Sequence, residues 1–493
     1  MAGLLPWLAC LIVPLLAIYF LGFLADARRG LPPGPRPLPL IGSLHLLGDQ
    51  PHRSLADLAK AHGALMSLRL GAVTTVVVSS PEAARQFLQK HDAVFASRSV
   101  PDAIGGHDHG RRALRAAQAG RAQQLRRDKV QELVDHIGRL AAAGEGPAAV
   151  EVGRVAFTTI LNLLSRTIFS RDLASLDDHG GESEEEFHEV VTAIMEESGR
   201  PNLSDFFPAI AAADLQGCRR RVARLFARLH RVFDAEVEQR RRHREAGQPR
   251  KNDFLDLLLD AEDGDNGAAR LDGDTLRAMF TRWMENRIIG ACDLFAAGSD
   301  TSSSTVEWAM AELLQSPSSM AKACDEIARI IGSRRNVEES EIGQLPYLQA
   351  VVKETFRLHP PAPLLLPRQA ETTKQIMGYT IPKGARVLVN IWATGRDPGV
   401  WSEPEKFMPE RFLARTVDLR GGDFELIPFG AGRRICPGMP LASKMVHVIL
   451  GSLLNQFKWS LPAEFETNGV DMAEKFGVTL IKAEPLCALA TPI

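Results

Sequence analysis

No two of the chain's six cysteines (Cys10, Cys218, Cys292, Cys324, Cys436, Cys487) stand at C-x-x-C spacing. Their scatter excludes a zinc ribbon and offers no disulfide framework, so a reducing compartment is the simpler expectation. A charge bias is missing as well. Fifty-eight basic and 60 acidic residues leave a net charge of −2, which gives no global pull toward nucleic acid or an acidic membrane. No internal repeat is visible, so a solenoid or propeller is excluded. At 493 residues with 45% hydrophobic content, the chain is long enough for several domains or for one large core.

One further absence is local: Leu4 to Ala25 contains no charged residue. At about 1.5 Å per residue this run reaches about 33 Å, enough to cross a hydrocarbon core of roughly 30 Å as a single helix. Arg28 and Arg29 follow it and no Lys or Arg precedes it, which predicts that the remainder faces the cytosol. A cleaved secretory signal is the alternative, but it commonly has a basic start and a shorter apolar core. Leu31 to Pro37 then reads L-P-P-G-P-R-P, a stiff extended spacer in which proline forbids continued helix. The expected division is an anchor over 1–27, a hinge over 28–40 and a catalytic domain over 41–493.

A short helix is predicted over Ser54 to Ala61. A hairpin follows, from Leu65 to Leu70 and Thr74 to Val78 around Gly71, and then a helix from Pro81 to Lys90. The chain is then mostly helical to about Pro360, β-rich around Gly378 to Gly384, and helical again from Met439 to Phe457. The expected class is mainly α with a small β-rich lobe. Basic stretches at Arg219 to Arg231 and Arg240 to Lys251 invite a nucleic-acid reading. Yet Val222, Leu225, Phe226, Leu229, Val232 and Phe233 recur at helical spacing, so the arginines form the wet side of a packed helix and no nucleic-acid partner is expected. His107-Asp108-His109 offers two imidazoles without a third ligand and reads as solvated.

Phe429 to Gly438 reads F-G-A-G-R-R-I-C-P-G. Gly430, Gly432 and Gly438 permit turns that a side chain would block, and Arg433 and Arg434 put positive charge beside Cys436. The helix that begins just beyond aims its end N–H groups at the sulfur, so Cys436 is poised to be a thiolate and a metal ligand. Phe429, Gly432, Arg434, Cys436 and Gly438 match the heme-binding loop of the cytochrome P450 family, the heme-thiolate monooxygenases. The resemblance runs over nearly the whole chain and is most like the plant microsomal enzymes that oxidise terpenoids and phenolics. It implies a cytochrome P450 fold preceded by one transmembrane helix, and heme (iron protoporphyrin IX) with Cys436 as axial thiolate. It also implies that Arg434 holds a propionate and that Phe429 and Gly430 lie near the sulfur. An anionic sulfur ligand of this kind favours O–O cleavage.

Ala297-Gly298-Ser299-Asp300-Thr301 opens a run of five hydroxyl residues, Thr301 to Thr305. Propensity alone makes this a loop; the alternative is a helix loosened by Thr301 bonding back to the Ala297 carbonyl, which leaves room for a bound molecule beside Gly298. The family's central helix carries the same pattern. The resemblance therefore implies that Thr301 and Asp300 deliver protons during dioxygen activation and that Ala297 faces the heme. It implies as well that Phe295, Ala296, Leu364 and Leu365 line an apolar substrate pocket. Glu354 and Arg357, with Arg411 of Pro409-Glu410-Arg411-Phe412, match the family's structural salt-bridge set, and Arg368 matches a second propionate-binding arginine.

Two departures stand out. The segment 107–129 is short, contains no tryptophan, and leaves Arg115 as the nearest remnant of a Trp-x-x-x-Arg propionate contact. Eleven residues, Arg282 to Cys292, are inserted where the central helix normally continues. The expected function is an endoplasmic reticulum membrane monooxygenase that inserts one oxygen atom from O2 into an apolar small molecule. Its electrons come from NADPH through NADPH–cytochrome P450 reductase. A terpenoid is the expected substrate and a phenylpropanoid or flavonoid the alternative. Because of the two departures, a degenerate heme-binding relative is the rival reading.

Overall fold

A computed structural model describes residues 30–98, 121–143, 147–177, 182–263, 291–466 and 469–493. The apolar run Leu4 to Ala25, the His107–His109 motif, Arg115 and most of the 282–292 insertion lie outside the described residues. Among the described residues no helix is long and apolar enough to cross a membrane.

Helix α1 (Pro51–His62) begins with proline in its first turn and ends at Gly63. Strands β1 (Leu65–Leu70) and β2 (Val73–Val78) form the expected antiparallel hairpin, with Gly71 in its turn at φ +59°. The helix expected over Pro81 to Lys90 is divided. It is α-helical as α2 (Pro81–Arg85), N-capped by the Ser80 hydroxyl, and widens to a π-turn over Gln86–Lys90. That wide turn is where the heme-type loop later docks.

The short strand β3 (Ser97–Arg98) leads to the helical body. There α3 (Arg121–Ala143), α4 (Val152–Phe169), α5 (Glu182–Gly199), α6 (Cys218–Glu245) and α7 (Phe254–Asp263) precede α8 (Ala291–Gln315), which packs chiefly on α4 and also on α5, with Phe233 of α6 stacked on its Phe295. β4 (Ala148–Glu151) enters α4. The hydroxyl run Thr301–Thr305 is helical throughout, so burial overrides its weak propensity. Ser302 to Thr305 are nearly inaccessible, and Trp308, Ala309, Met310, Ala311 and Leu313 are wholly so. Thr305 Oγ1 also bonds back, to the Thr301 carbonyl at 2.8 Å.

α9 (Pro317–Ile331) and α10 (Pro346–Leu358) follow. Next come β5 (Arg368–Gln369), the hairpin β6 (Lys374–Ile376) and β7 (Tyr379–Ile381), and β8 (Arg386–Val389). One five-stranded sheet, ordered β1-β2-β8-β5-β3, joins the amino-terminal hairpin to this later segment; only its β2–β8 pairing is parallel. α11 (Met439–Gln456) runs into β9 (Phe457–Ser460). The antiparallel pair β10 (Glu474–Lys475) and β11 (Ile481–Lys482) precedes β12 (Cys487–Pro492), which lies between β4 and β9. The main core gathers α3, α4, α8, α10 and α11, and a second cluster lies under the five-stranded sheet.

Candidate active site

Glu354 and Arg357 are both wholly buried on α10. The Arg357 guanidinium donates to the Glu354 carboxylate at 2.7 and 2.8 Å and to the Gly395, Pro404 and Lys406 carbonyls. Arg411 and the Met408 N–H complete the carboxylate's partners at 3.0 and 2.7 Å. Each charge is thus paired and hydrogen-bonded, the condition under which a buried ion pair is tolerated. Gly395 is required here, since a Cβ would lie 2.3 Å from the Arg357 carbonyl oxygen. This knot holds the chain that leads to Phe429.

The loop from Phe429 to Gly438 rests on the π-turn. Gly432 has φ +68°, and a Cβ there would sit 1.9 Å from the Leu88 carbonyl oxygen, so only glycine allows the approach. Gly430, at φ +71°, donates its N–H to Ile427 O at 2.9 Å. Cys436 N–H donates to the Phe429 carbonyl at 2.9 Å, and the side chain is exposed three residues ahead of the first residue of α11. The Phe429 ring meets Phe356 of the α10 core edge-on at 5.3 Å.

Two arginines converge beside this loop. Arg368 is 4% exposed and donates to Phe95 O at 3.4 Å and to Ala431 O at 3.3 Å. Arg434 Nε donates to Ala96 O at 2.7 Å. Neighbouring carbonyls of one dipeptide therefore draw together two guanidinium groups from remote parts of the chain. Nothing in the sequence around Phe95-Ala96 signalled this role, because backbone acceptors carry no side-chain signature.

On α8, Thr301 Oγ1 donates to the Ala297 carbonyl at 2.6 Å, the expected back-bond. Ala297 is exposed and Thr301 half-buried, on a helix whose later turns are almost sealed, so this face borders open space. Burial raises the Asp300 carboxyl above its ordinary range; the Thr479 hydroxyl acts the other way and Glu196 reinforces the rise.

The expected pocket residues divide. Leu365 is half-buried at φ +49°, and its Cδ1 stands 3.9 Å from where a Gly430 Cβ would lie, so it overhangs the loop. Leu364 is 9% exposed and packs with Leu68, Val77 and Leu388. The side chain of Ala296 lies outside the described residues. Phe295 is a correction: it is 1% exposed and stacks on Phe169 at 6.1 Å and Phe233 at 6.0 Å. Two residues before Ala297 it is rotated about 200° from it around the helix, so it secures α8 to α4 and α6 instead of lining the open face.

The cytochrome P450 family model matches residues 32–485. The chain belongs to the cytochrome P450 family. It is similar to geraniol 8-hydroxylase of Swertia mussotii, at 46% identity over 96% of each chain. It is 44% identical to 7-ethoxycoumarin O-deethylase of Helianthus tuberosus over 98% of each. Among solved structures, a zebra fish cytochrome P450 with abiraterone aligns at TM-score 0.70 and 26% identity, covering 90% of this chain and all of that one.

As a cytochrome P450 the chain is a monooxygenase whose cofactor is heme with a thiolate ligand. Its residues fit that group. A thiol is exposed just ahead of a helix N-terminus, the guanidinium groups of Arg368 and Arg434 lie by the same loop and could pair with anionic groups, and Ala297 is a small exposed apolar surface on α8.

Proposed function

We propose that this P450 hydroxylates a terpenoid, with a monoterpenoid alcohol as the first candidate, using electrons from NADPH delivered by NADPH–cytochrome P450 reductase. The observation that carries the substrate class is the 46% identity, across 96% of both chains, to an enzyme named for geraniol 8-hydroxylation. The likeness to a 7-ethoxycoumarin O-deethylase favours a phenolic as the second class. Matches of this length to named enzymes also weigh against the degenerate reading.

In this proposal the Cys436 sulfur would hold the heme iron, Arg368 and Arg434 would pair with the propionates, and Ala297 and Gly430 would lie against the heme. Arg115 is a further propionate candidate. Bound heme supplies the redox chemistry that activates dioxygen. Thr301 contributes a hydroxyl already oriented by its bond to Ala297 O, and Asp300, with its raised carboxyl, can hold and release a proton beside it. Leu365 and Leu364 shape an apolar pocket that excludes water. Residues 1–27 anchor the protein in the endoplasmic reticulum membrane, 28–40 form the hinge, and 41–493 face the cytosol as the catalytic domain.

The test is turnover with reductase and NADPH on geraniol, a geranyl-substituted phenol and 7-ethoxycoumarin. A hydroxylated geraniol product with kcat/KM at least about tenfold above the coumarin supports the terpenoid reading, since 1.4 kcal/mol of discrimination is tenfold. Preference for the coumarin moves the assignment to phenolics.

A further inference from the structure

Residues 332–341 lie as a belt across α3 and α11, and neutral groups seat it on both. Ser452 Oγ accepts the Val337 N–H at 3.0 Å, Asn455 Nδ2 donates to the Gly332 and Arg335 carbonyls at 2.8 Å each, and Gln456 Nε2 donates to Asn336 Oδ1 at 3.0 Å. On the other side the Asn336 amide donates to Gln131 Oε1 of α3 at 2.8 Å. Val337 is buried and packs so closely on α11 that a Cβ on Gly451 would fall 2.9 Å from its Cγ2. The belt therefore keeps its place without help from its carboxylates.

Those carboxylates are concentrated at its end, where Glu338-Glu339-Ser340-Glu341 puts three of them in four residues. Glu341 serves the turn itself, accepting the Glu338 N–H at 2.9 Å and pairing with Arg335. The other two reach onto cations of the neighbouring helices. Glu338 pairs with Arg127 of α3, and Glu339 pairs with Arg126 of α3 and with Lys444 of α11 at 2.8 Å. Although burial opposes ionisation, Arg126 and Lys444 hold the Glu339 carboxyl below the ordinary glutamate range, so it is charged near neutral pH. Arg127 and Lys444 keep 44% and 48% of their side chains exposed, so both are also reachable from solvent. α11 begins three residues after Cys436, and Lys444 lies on its second turn, about 8 Å along the axis from Met439. A protein that delivers electrons to the Cys436 loop has to approach this end of α11. The carboxylates already seated on Arg126, Arg127 and Lys444 show which chemistry these cations take.

We propose, resting on electron supply by a reductase, that Glu338 and Glu339 are an intramolecular competitor for an acidic surface of that donor protein. Docking displaces them from Arg126, Arg127 and Lys444, so their charge sets the donor's affinity. An ion pair within the chain is exchanged for one across the interface, and no covalent bond changes. The rival is a structural one, in which the two carboxylates only tie α3 to α11. Because the belt is already seated by Ser452, Asn455, Gln456 and Gln131, the rival leaves the charge of Glu338 without a task.

The two readings predict opposite signs for the Kd between the heme-loaded full chain and NADPH–cytochrome P450 reductase. It is measured by titration at ionic strengths of about 0.01 M and about 0.15 M, where charges are felt over about 30 Å and about 8 Å. Glu338→Gln, at an exposed pair whose loss spares the fold, is expected to lower Kd about two- to fivefold at low salt, and the gain shrinks at the higher salt. Glu338→Lys tightens binding further. Glu339→Gln acts in the same direction but with a lower Tm, since Arg126 loses its partner. Glu238→Gln on α6 makes the same change of charge, gives up its pair with Arg242, and is expected to leave Kd as it is. A Kd that is unchanged or raised in Glu338→Gln and Glu338→Lys, or one that falls equally in Glu238→Gln, overturns the competitor. So does the absence of reductase binding by wild type and every variant. Product formation driven by hydrogen peroxide needs no donor protein and reports separately on the monooxygenase: if wild type forms none, that reading fails, and the binding constants still decide the competitor.

Discussion

Thr301 illustrates how one side chain serves both fold and chemistry. Its hydroxyl satisfies the Ala297 carbonyl at 2.6 Å while its position on the open face of α8 leaves it beside Asp300. Thr301→Ala retains the helix, because alanine is the better helix former, and loses only the hydroxyl. NADPH consumption is expected to continue while product per NADPH falls at least about tenfold and hydrogen peroxide takes up the difference. Unchanged coupling would remove Thr301 from the proton path. His447 offers a test of stability. It is buried in α11, donates Nδ1–H to Ser443 O at 2.6 Å, and burial pushes its imidazole down to about 4, with Lys353 acting in the same direction. The unfolded imidazole titrates near 6.5, so between these values the unfolded chain binds the extra proton. Stability is complete above about pH 6.5 and declines by up to about 1.4 kcal/mol per unit as pH falls toward 4. Urea midpoints measured from pH 5 to 7.5 should show that slope in wild type and a flatter one in His447→Gln.

At the scale of elements, the heme-type loop is held by contacts it does not itself contain. The π-turn at Gln86–Lys90 provides the surface for Gly432, and the Glu354–Arg357–Arg411 knot fixes the approach. Gly432→Ala combines a left-handed φ with a backbone clash at the Leu88 carbonyl, so heme retention is expected to be lost even though Cys436 is intact; full retention would show that the docking is dispensable. Glu354→Gln leaves Arg357 uncompensated in the core, a cost of about 3–5 kcal/mol that a fall in Tm reads directly. The loop motif was legible because side-chain identity at fixed spacing carries it, whereas the Glu354–Arg357–Arg411 set was legible only through the family resemblance, since Glu354 and Arg357 three apart on a helix look like an ordinary surface pair. The helices were legible through apolar period, and α1 and α11 lie within a few residues of expectation. The π-turn was not legible, since its residues suit an ordinary helix. Phe295 was misplaced because a motif gives register along a helix, whereas the side facing the core depends on Phe169 and Phe233, 126 and 62 residues away in sequence.

For the whole molecule, acid and partner effects follow from groups that join distant segments. Glu474 accepts from Arg53 at 2.6 Å and His52 at 3.2 Å, with His359 and the Trp392 indole also facing it. Although burial opposes ionisation, these donors hold its carboxyl far below the ordinary glutamate range. The stability it contributes is therefore present above about pH 4.3 and is lost as pH falls below that, later than the His447 effect. The uncharged run Leu4 to Ala25 predicts membrane attachment. Deleting residues 1–29 is expected to lower the fraction of protein that floats with vesicles while leaving heme binding intact, and an unchanged fraction would contradict the anchor. The claim on which everything else depends is the Cys436–iron bond, and the carbon-monoxide difference spectrum of the reduced protein tests it most directly. Wild type should give the thiolate-type Soret band and Cys436→Ser should lose it; identical spectra, or a histidine-type band in wild type, would contradict the account.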